Sequence, residues 1–117
     1  MGKIKDIKEA MSLFEDNAIA FELSTETGDY KNANKQHDAI RKCIAYLKSE
    51  GQLEELQVFY ESENPSVRLW SAYALLPVYP ARSRKVLNDL IEEKCPMSFD
   101  AKITLQEWDK GTLGFPE

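Results

Sequence analysis

The chain has few of the residue types from which most catalytic and metal sites are built. Its 117 residues include one histidine, His37, and two cysteines, Cys43 and Cys95. One histidine excludes a histidine pair, and two distant cysteines provide neither the CxxC spacing of a zinc site nor a disulfide framework. We therefore expect reduced thiols and predict no metal, cofactor or catalytic site.

Long apolar runs are also missing. No stretch approaches the roughly 20 apolar residues of a membrane span, and the first residues lead into a charged amphipathic segment instead of the apolar region of a secretory signal. We expect a cytoplasmic protein with no membrane partner. The net charge of -5 has the wrong sign for a protein that neutralises phosphates, so nucleic acid is not predicted as a partner.

What the chain does have is apolar residues at helical spacing throughout its length. At 117 residues with 43% hydrophobic content, it is predicted to form a single domain over residues 1–117. Glycine, proline and capping residues divide it into about six helices. The predicted segments cover about residues 4–26 and 30–49, Leu53 to about Ser62, the stretch after Asn64-Pro65 through Leu76, the stretch from Pro80 to Cys95-Pro96, and a last helix capped by Ser98 and closed by Gly111.

These helices carry a weak internal repeat. A shift of 31 residues places Ala39, Cys43, Ile44, Leu56, Phe59 and Tyr60 on Trp70, Ala74, Leu75, Leu87, Leu90 and Ile91. Six matched apolar positions favour paired antiparallel hairpins stacked into an all-α superhelix, with a plain helical bundle as the alternative. The apolar helix from Val67 to Leu76 is predicted to be central, and the tail 115–117 to be either loose or docked by the Phe115 ring.

Two resemblances strengthen this interpretation. The run from Asn64-Pro65 through Val67-Arg68 resembles the second helix of HEAT-type repeats. The whole chain resembles the bacterial family called domain of unknown function 2019, through Gly28-Asp29-Tyr30, Val67-Arg68-Leu69, Pro80-Ala81-Arg82, and an ending with Leu105, Asp109, Gly111 and Phe115-Pro116. The resemblance implies a HEAT-like α-α superhelix and carries no catalytic residues. Trp108 departs from it, because the family more often has an aliphatic residue there.

Several polar residues are predicted to serve the fold. Arg68 on the central helix is expected to join one repeat to the next through an acidic partner. The basic set Arg82, Arg84 and Lys85 opposes the dipole at a helix start, which indicates an ion pair or another compensating contact. His37 is expected to be an exposed or half-exposed helical residue, and Cys43 to pack in the core.

An acidic cluster is the strongest candidate for a binding surface. Glu61 maps onto Glu92 under the 31-residue shift, so neighbouring hairpins are expected to pool negative charge, and nearby aromatic side chains would serve as anchors. A solvated helix face is the alternative. The predicted partner-binding residues are Glu54, Glu55, Tyr60, Glu61, Glu63, Glu92, Glu93 and Trp108.

A helical surface without chemistry predicts a non-catalytic protein-protein interaction module that acts as a monomer. Small HEAT-like bacterial proteins of this kind are found beside polymorphic toxins, so the resemblance implies an immunity protein that neutralises a cognate toxin. A basic nuclease domain would fit the acidic surface. The alternative is a scaffold or regulatory adaptor with a peptide or helix in its groove. A helical-repeat nucleic-acid enzyme or binder is the third hypothesis, which the charge disfavours.

Overall fold

A computed structural model describes residues 3–116 of the chain. Within that range it contains five α-helices, one 3-10 helix and no strand, so the predicted all-α fold of about six helices is confirmed. The helices are α1 (Ile7–Glu26), α2 (Tyr30–Ser49), the 3-10 helix (Leu53–Glu61), α3 (Pro65–Leu75), α4 (Pro80–Glu93) and α5 (Ser98–Lys110). Their stacking as a HEAT-like superhelix stays a prediction.

Capping residues set most of the helix boundaries. Asp6 accepts a hydrogen bond from the Glu9 amide at 2.8 Å, so α1 begins at Ile7 and not near Ile4 as predicted. Asp29 caps α2 as expected. Asn64 accepts from the Val67 amide at 3.0 Å, and Pro65 occupies the first turn of α3, where its missing amide hydrogen costs nothing.

The third predicted helix is present as a 3-10 helix, and its apolar residues Leu53, Leu56 and Phe59 recur every three positions, which matches three residues per turn. One capping prediction was wrong. Ser98 is the first helical residue of α5, and Met97 occupies the N-cap position. The Ser98 hydroxyl instead accepts from the Cys95 amide at 2.7 Å and donates to the Leu90 carbonyl at 2.6 Å.

The contacts group into two compact units, one of residues 3–53 with Pro116 and one of residues 54–115. In the first unit α1 packs against α2. The buried apolar side chains are Ala10, Phe14 and Ala18 on α1, and Ala33, Ile40, Cys43, Ile44 and Leu47 on α2. The predicted core position of Cys43 is therefore confirmed. Burial, reinforced by the negative charge of Glu9, raises the pKa of its thiol to about 11.

In the second unit α4 packs against both α3 and α5. Its core consists of Leu69, Ala72 and Leu76 from α3, Leu87 and Leu90 from α4, and Met97, Ala101 and Leu105 around α5. Every residue from Ser66 to Leu76 is buried except Arg68, which is half-buried. A helix that is apolar on nearly all sides is expected to be enclosed in this way, which confirms the prediction for the central segment.

The C-terminal tail is docked through Phe115. Its ring stacks on Tyr73 with centroids 5.1 Å apart and meets Trp108 edge to face at 6.1 Å. The Tyr73 hydroxyl also donates to the Gly114 carbonyl at 2.6 Å. Aromatic contacts and one hydrogen bond therefore hold the tail against α3 and α5, whereas Glu117 lies outside the described residues.

Asn64→Ala should lower the free energy of unfolding by about 1 kcal/mol, because the N-cap bond to the Val67 amide is lost. Asn64→Asp should stay close to the parent, since aspartate caps a helix as well as asparagine does. Urea denaturation followed by circular dichroism measures both. Equal destabilisation by alanine and aspartate would contradict this role of Asn64.

Phe115→Ala should remove the tail contacts and uncover Trp108. We expect a loss of about 2 kcal/mol in unfolding free energy and a tryptophan emission maximum at longer wavelength. Phe99→Ala is the matched control, because the Phe99 side chain is 69% exposed. If both variants changed fluorescence and stability equally, the loss of the tail contacts would not explain these changes.

Candidate partner-binding surface

All eight predicted partner-binding residues lie in the second unit, and Glu93 is engaged most firmly. Arg68 Nη1 donates to Glu93 Oε2 at 2.6 Å, and Arg68 Nη2 donates to Glu93 Oε1 at 2.9 Å. The hydrogen bond to Arg68 lowers the pKa of Glu93, and the same contact raises the pKa of Arg68. The predicted pairing of Arg68 with an acidic residue is therefore confirmed. Glu93 forms an ion pair that connects α4 to α3.

This ion pair also gathers part of the acidic cluster. It places the last turn of α4 beside the first turn of α3. Glu63 directly precedes the N-cap residue Asn64. Asn64 and Arg68 are four residues apart, which corresponds to about 6 Å along the helix. Glu63, Glu92 and Glu93 therefore share one end of the second unit.

Tyr60 lies near the other end of α4. Its hydroxyl is 2.7 Å from the Ser83 hydroxyl, and the Arg82 guanidinium lies over its ring at 5.5 Å from the centroid. Ser83 and Glu93 are ten residues apart on one helix, which corresponds to about 15 Å. The same guanidinium lies 5.1 Å from the centroid of the Tyr79 ring, so Arg82 contacts both tyrosine rings.

Trp108 is likewise placed away from the glutamates. It is half-buried against Phe115, and its neighbour Asp109 forms an ion pair with Arg84 on the first turns of α4. The Tyr60 ring thus lies beside Arg82, and Trp108 directly precedes the ion-pair partner of Arg84. Spacing along the chain could not reveal this, because it does not determine which end of α4 each side chain meets.

The remaining glutamates are spread along the 3-10 helix. Glu54 and Glu55 stand at its start and Glu61 at its end, and all three are exposed. With a rise of about 2 Å per residue, Glu54 and Glu61 are about 14 Å apart. The predicted residues therefore form an extended band of carboxylates and not a compact cluster.

Four of the seven basic residues of this unit, including all three arginines, form internal contacts, whereas Lys94, Lys102 and Lys110 are exposed without an ion pair to residues 3–116. Arg68 pairs with Glu93, Arg84 with Asp109, and Lys85 with Asp89 at 3.2 Å. Arg82 adds a hydrogen bond from Nη1 to Gln57 Oε1 at 3.2 Å. The predicted compensation of the basic set is confirmed, because contacts across helices and along α4 offset its unfavourable position at a helix start.

The exposed glutamates are in the opposite situation. Eight exposed glutamates of residues 3–116 form no ion pair, and five of them lie on the 3-10 helix, just before α3 or at the end of α4: Glu54, Glu55, Glu61, Glu63 and Glu92. We call these five residues the acidic surface. An outside cation could approach their carboxylates without displacing an internal partner.

The described residues offer little else that indicates chemistry. Over residues 3–116, no group of three or more histidine, cysteine or acidic side chains is arranged to hold a metal ion. In the same range no helix has the length and apolarity to cross a bilayer. His37 is half-exposed, as predicted, with Nδ1 3.9 Å from an Asp38 carboxylate oxygen.

Sequence reasoning missed the partners of the arginines. Three contacts join residues 25 positions apart: Arg68 with Glu93, Arg82 with Gln57, and Arg84 with Asp109. Residues 25 positions apart therefore lie on different helices, and in these three cases their side chains meet. A search for arginines 25 positions from an acidic or amide residue could have found all three.

The comparisons identify the family. The family described as Domain of unknown function (DUF2019) matches residues 8–109 of the chain. The chain belongs to the DUF2019 family. This confirms the resemblance deduced from the sequence, while the description of DUF2019 assigns no activity.

A solved structure supports the fold of this DUF2019 protein. The chain is similar to the crystal structure of the protein RPA1889 from Rhodopseudomonas palustris CGA009, with a TM-score of 0.85 and 23% identity over 93% of each chain. At that identity the likeness shows the fold alone. No curated protein matches the chain.

The Arg68–Glu93 pair predicts a specific pH dependence. Because the pKa of Glu93 is lowered in the folded state, its stabilising effect is full above the ordinary glutamate pKa and is lost as pH falls through the lowered value. Glu93→Gln should therefore be less stable than the parent at pH 7, and the difference should shrink towards about pH 3. Urea denaturation at both pH values measures this, with Glu92→Gln as the control. A difference independent of pH would contradict the assignment.

Proposed function

We propose that this DUF2019 protein is a non-catalytic module that binds a basic protein partner through its acidic surface. The observation that carries the proposal is the unequal use of charge in residues 54–115. The three arginines are held by internal contacts, and six exposed glutamates without an ion pair among the described residues, the acidic surface and Glu107, outnumber the three exposed lysines without one. Such an arrangement has negative potential available for an external cationic surface.

The geometry suits recognition by charge better than recognition by an apolar hot spot. The carboxylates form an extended band, and the aromatic rings of Tyr60 and Trp108 are half-buried against their own unit. Long-range attraction between opposite charges mainly raises the association rate, and its effect falls as salt screens it. We therefore expect fast, salt-sensitive binding.

The more specific form of the proposal is an immunity protein that neutralises a cognate bacterial toxin. A basic nuclease domain would be the matching partner, because its nucleic-acid site is cationic and would be covered by the glutamates. The proposal needs no reaction from this chain. The immunity hypothesis requires a basic partner and binding that weakens as salt is added. The adaptor hypothesis instead expects a peptide or helix in the groove, with binding that tolerates salt.

Co-expression with a toxin gene adjacent to the gene for this chain is the direct test of the immunity function. Growth should be restored by the parent protein and reduced for the triple variant Glu61→Gln, Glu63→Gln and Glu92→Gln. The control variant Asp16→Asn, Glu26→Gln and Glu107→Gln removes the same charge from exposed positions outside the acidic surface. It should protect as well as the parent.

Binding kinetics with the purified toxin domain extend this test. At low salt the triple variant should associate about ten-fold more slowly than the control variant, and the difference should diminish at about 0.5 M salt. Killing that is unchanged by the parent protein would refute the immunity function. Equal association rates for the two variants would refute the role of the acidic surface.

A further inference from the structure

The first unit contains a groove that the proposed function does not use. It runs between α1 and α2 and has a volume of about 650 Å³, within the range of sites that bind ligands or several side chains. Its lining comes from the N-terminal segment and from both helices. None of its lining residues belongs to the acidic surface.

The middle of the groove is apolar. Leu13 from α1 and Ala39 and Cys43 from α2 line it together with Ile4. Leu13 remains 38% exposed although α1 and α2 pack closely along this unit. Burial raises the pKa of the Cys43 thiol to about 11, so this group stays uncharged at neutral pH and behaves as a small apolar side chain. An occupant would cover apolar surface that is now in contact with water, chiefly that of Leu13, because Cys43 lies at the floor of the groove with 1% of its surface exposed.

The rim of the groove is positively charged. Lys35 and Lys42 line it, both are exposed, and neither forms an ion pair within the described chain. Asp38 is the one carboxylate among the described lining residues, so the lysines outnumber it. The two lysines are seven residues apart on α2, which is two turns or about 10 Å along the axis.

This combination fits one kind of occupant. On a second helix lying along α2, two residues seven positions apart are also about 10 Å apart and point to the same side. Two carboxylates with this spacing could therefore reach both lysines. Apolar residues three and four positions after the first carboxylate would then lie over Leu13, Ala39 and Cys43. We propose that this groove binds an amphipathic acidic helix of a protein partner, held by carboxylates at Lys35 and Lys42 and by apolar side chains between them.

A defined peptide tests the proposal with the full chain. The probe is a fluorescein-labelled helical peptide of about 18 residues with glutamates seven positions apart and leucines three and four positions after the first. Its anisotropy should saturate at micromolar protein concentrations. A peptide with lysines in place of the glutamates should bind at least ten-fold more weakly, because the rim would repel it.

Variants of the protein identify the surface. Lys35→Glu with Lys42→Glu should weaken binding of the glutamate peptide at least ten-fold and improve binding of the lysine peptide. Lys48→Glu with Lys102→Glu is the matched control, since both lysines are exposed and neither lines the groove. It should change the affinity by less than about two-fold. Leu13→Asn should weaken both peptides, because the apolar contact is common to them.

Backbone amide spectra of the labelled protein give a second measurement. Addition of the glutamate peptide should shift the signals of Leu13, Asn17, Ala39 and Cys43 more than those of residues 54–115. Absence of saturable binding, equal affinity for the two peptides, or equal affinity of the two lysine variants would overturn the proposal. The triple glutamine variant of the acidic surface should bind the peptide normally, so this result is separable from the toxin test.

Discussion

The second unit depends on the enclosure of α3. From Ser66 to Leu76 its side chains are buried, and Arg68 is the half-buried exception. Fully burying each large aliphatic side chain is worth about 1.5 to 3 kcal/mol, so the apolar side chains of this helix outweigh any surface ion pair in the unit. α4 and α5 add Leu87, Leu90, Ala101 and Leu105 to the same core. The positions of Arg68 and of the glutamates follow from this packing.

Enclosure of α3 explains why the charged residues separate as they do. Because α3 and α4 lie side by side, Arg68 reaches the end of α4 and pairs with Glu93. At the start of α4, Arg82 contacts Tyr60 and Gln57, and Arg84 pairs with Asp109. The three arginines of this unit therefore have partners within the fold. The glutamates on the 3-10 helix and at the end of α4 face water, which leaves the unpaired negative charge on which the proposed function rests.

The two candidate surfaces have opposite character. The acidic surface of residues 54–115 is an extended polar band that suits rapid electrostatic encounter. The groove of residues 3–53 combines an apolar middle with two lysines, which suits a shaped helical ligand. The two proposals therefore call for partners of opposite charge.

Local signals in the sequence determined the helices and most of their ends. Asp29 after Gly28, and Asn64 before Pro65, act within one turn of the chain, so their effects depend only on neighbouring residues. The segment from Val67 to Leu76, apolar except for Arg68 and Ser71, likewise indicated that this helix would be buried. The three-residue spacing of Leu53, Leu56 and Phe59 agrees with the 3-10 helix, but Leu53, Leu56 and Tyr60 also keep α-helical spacing, so the sequence predicted a helix there without deciding its type.

Tertiary structure alone decided which glutamates stand together and which aromatic rings accompany them. Tyr60 and Glu61 are neighbours in the chain, yet the Tyr60 ring belongs with Arg82 and Ser83, about 15 Å along α4 from Glu93. The physical reason is that a side chain's partners are set by the packing of whole helices, which is cooperative over long separations. Helical periodicity specifies the buried face of each helix, but not the end of the neighbouring helix that an arginine or a tyrosine will reach.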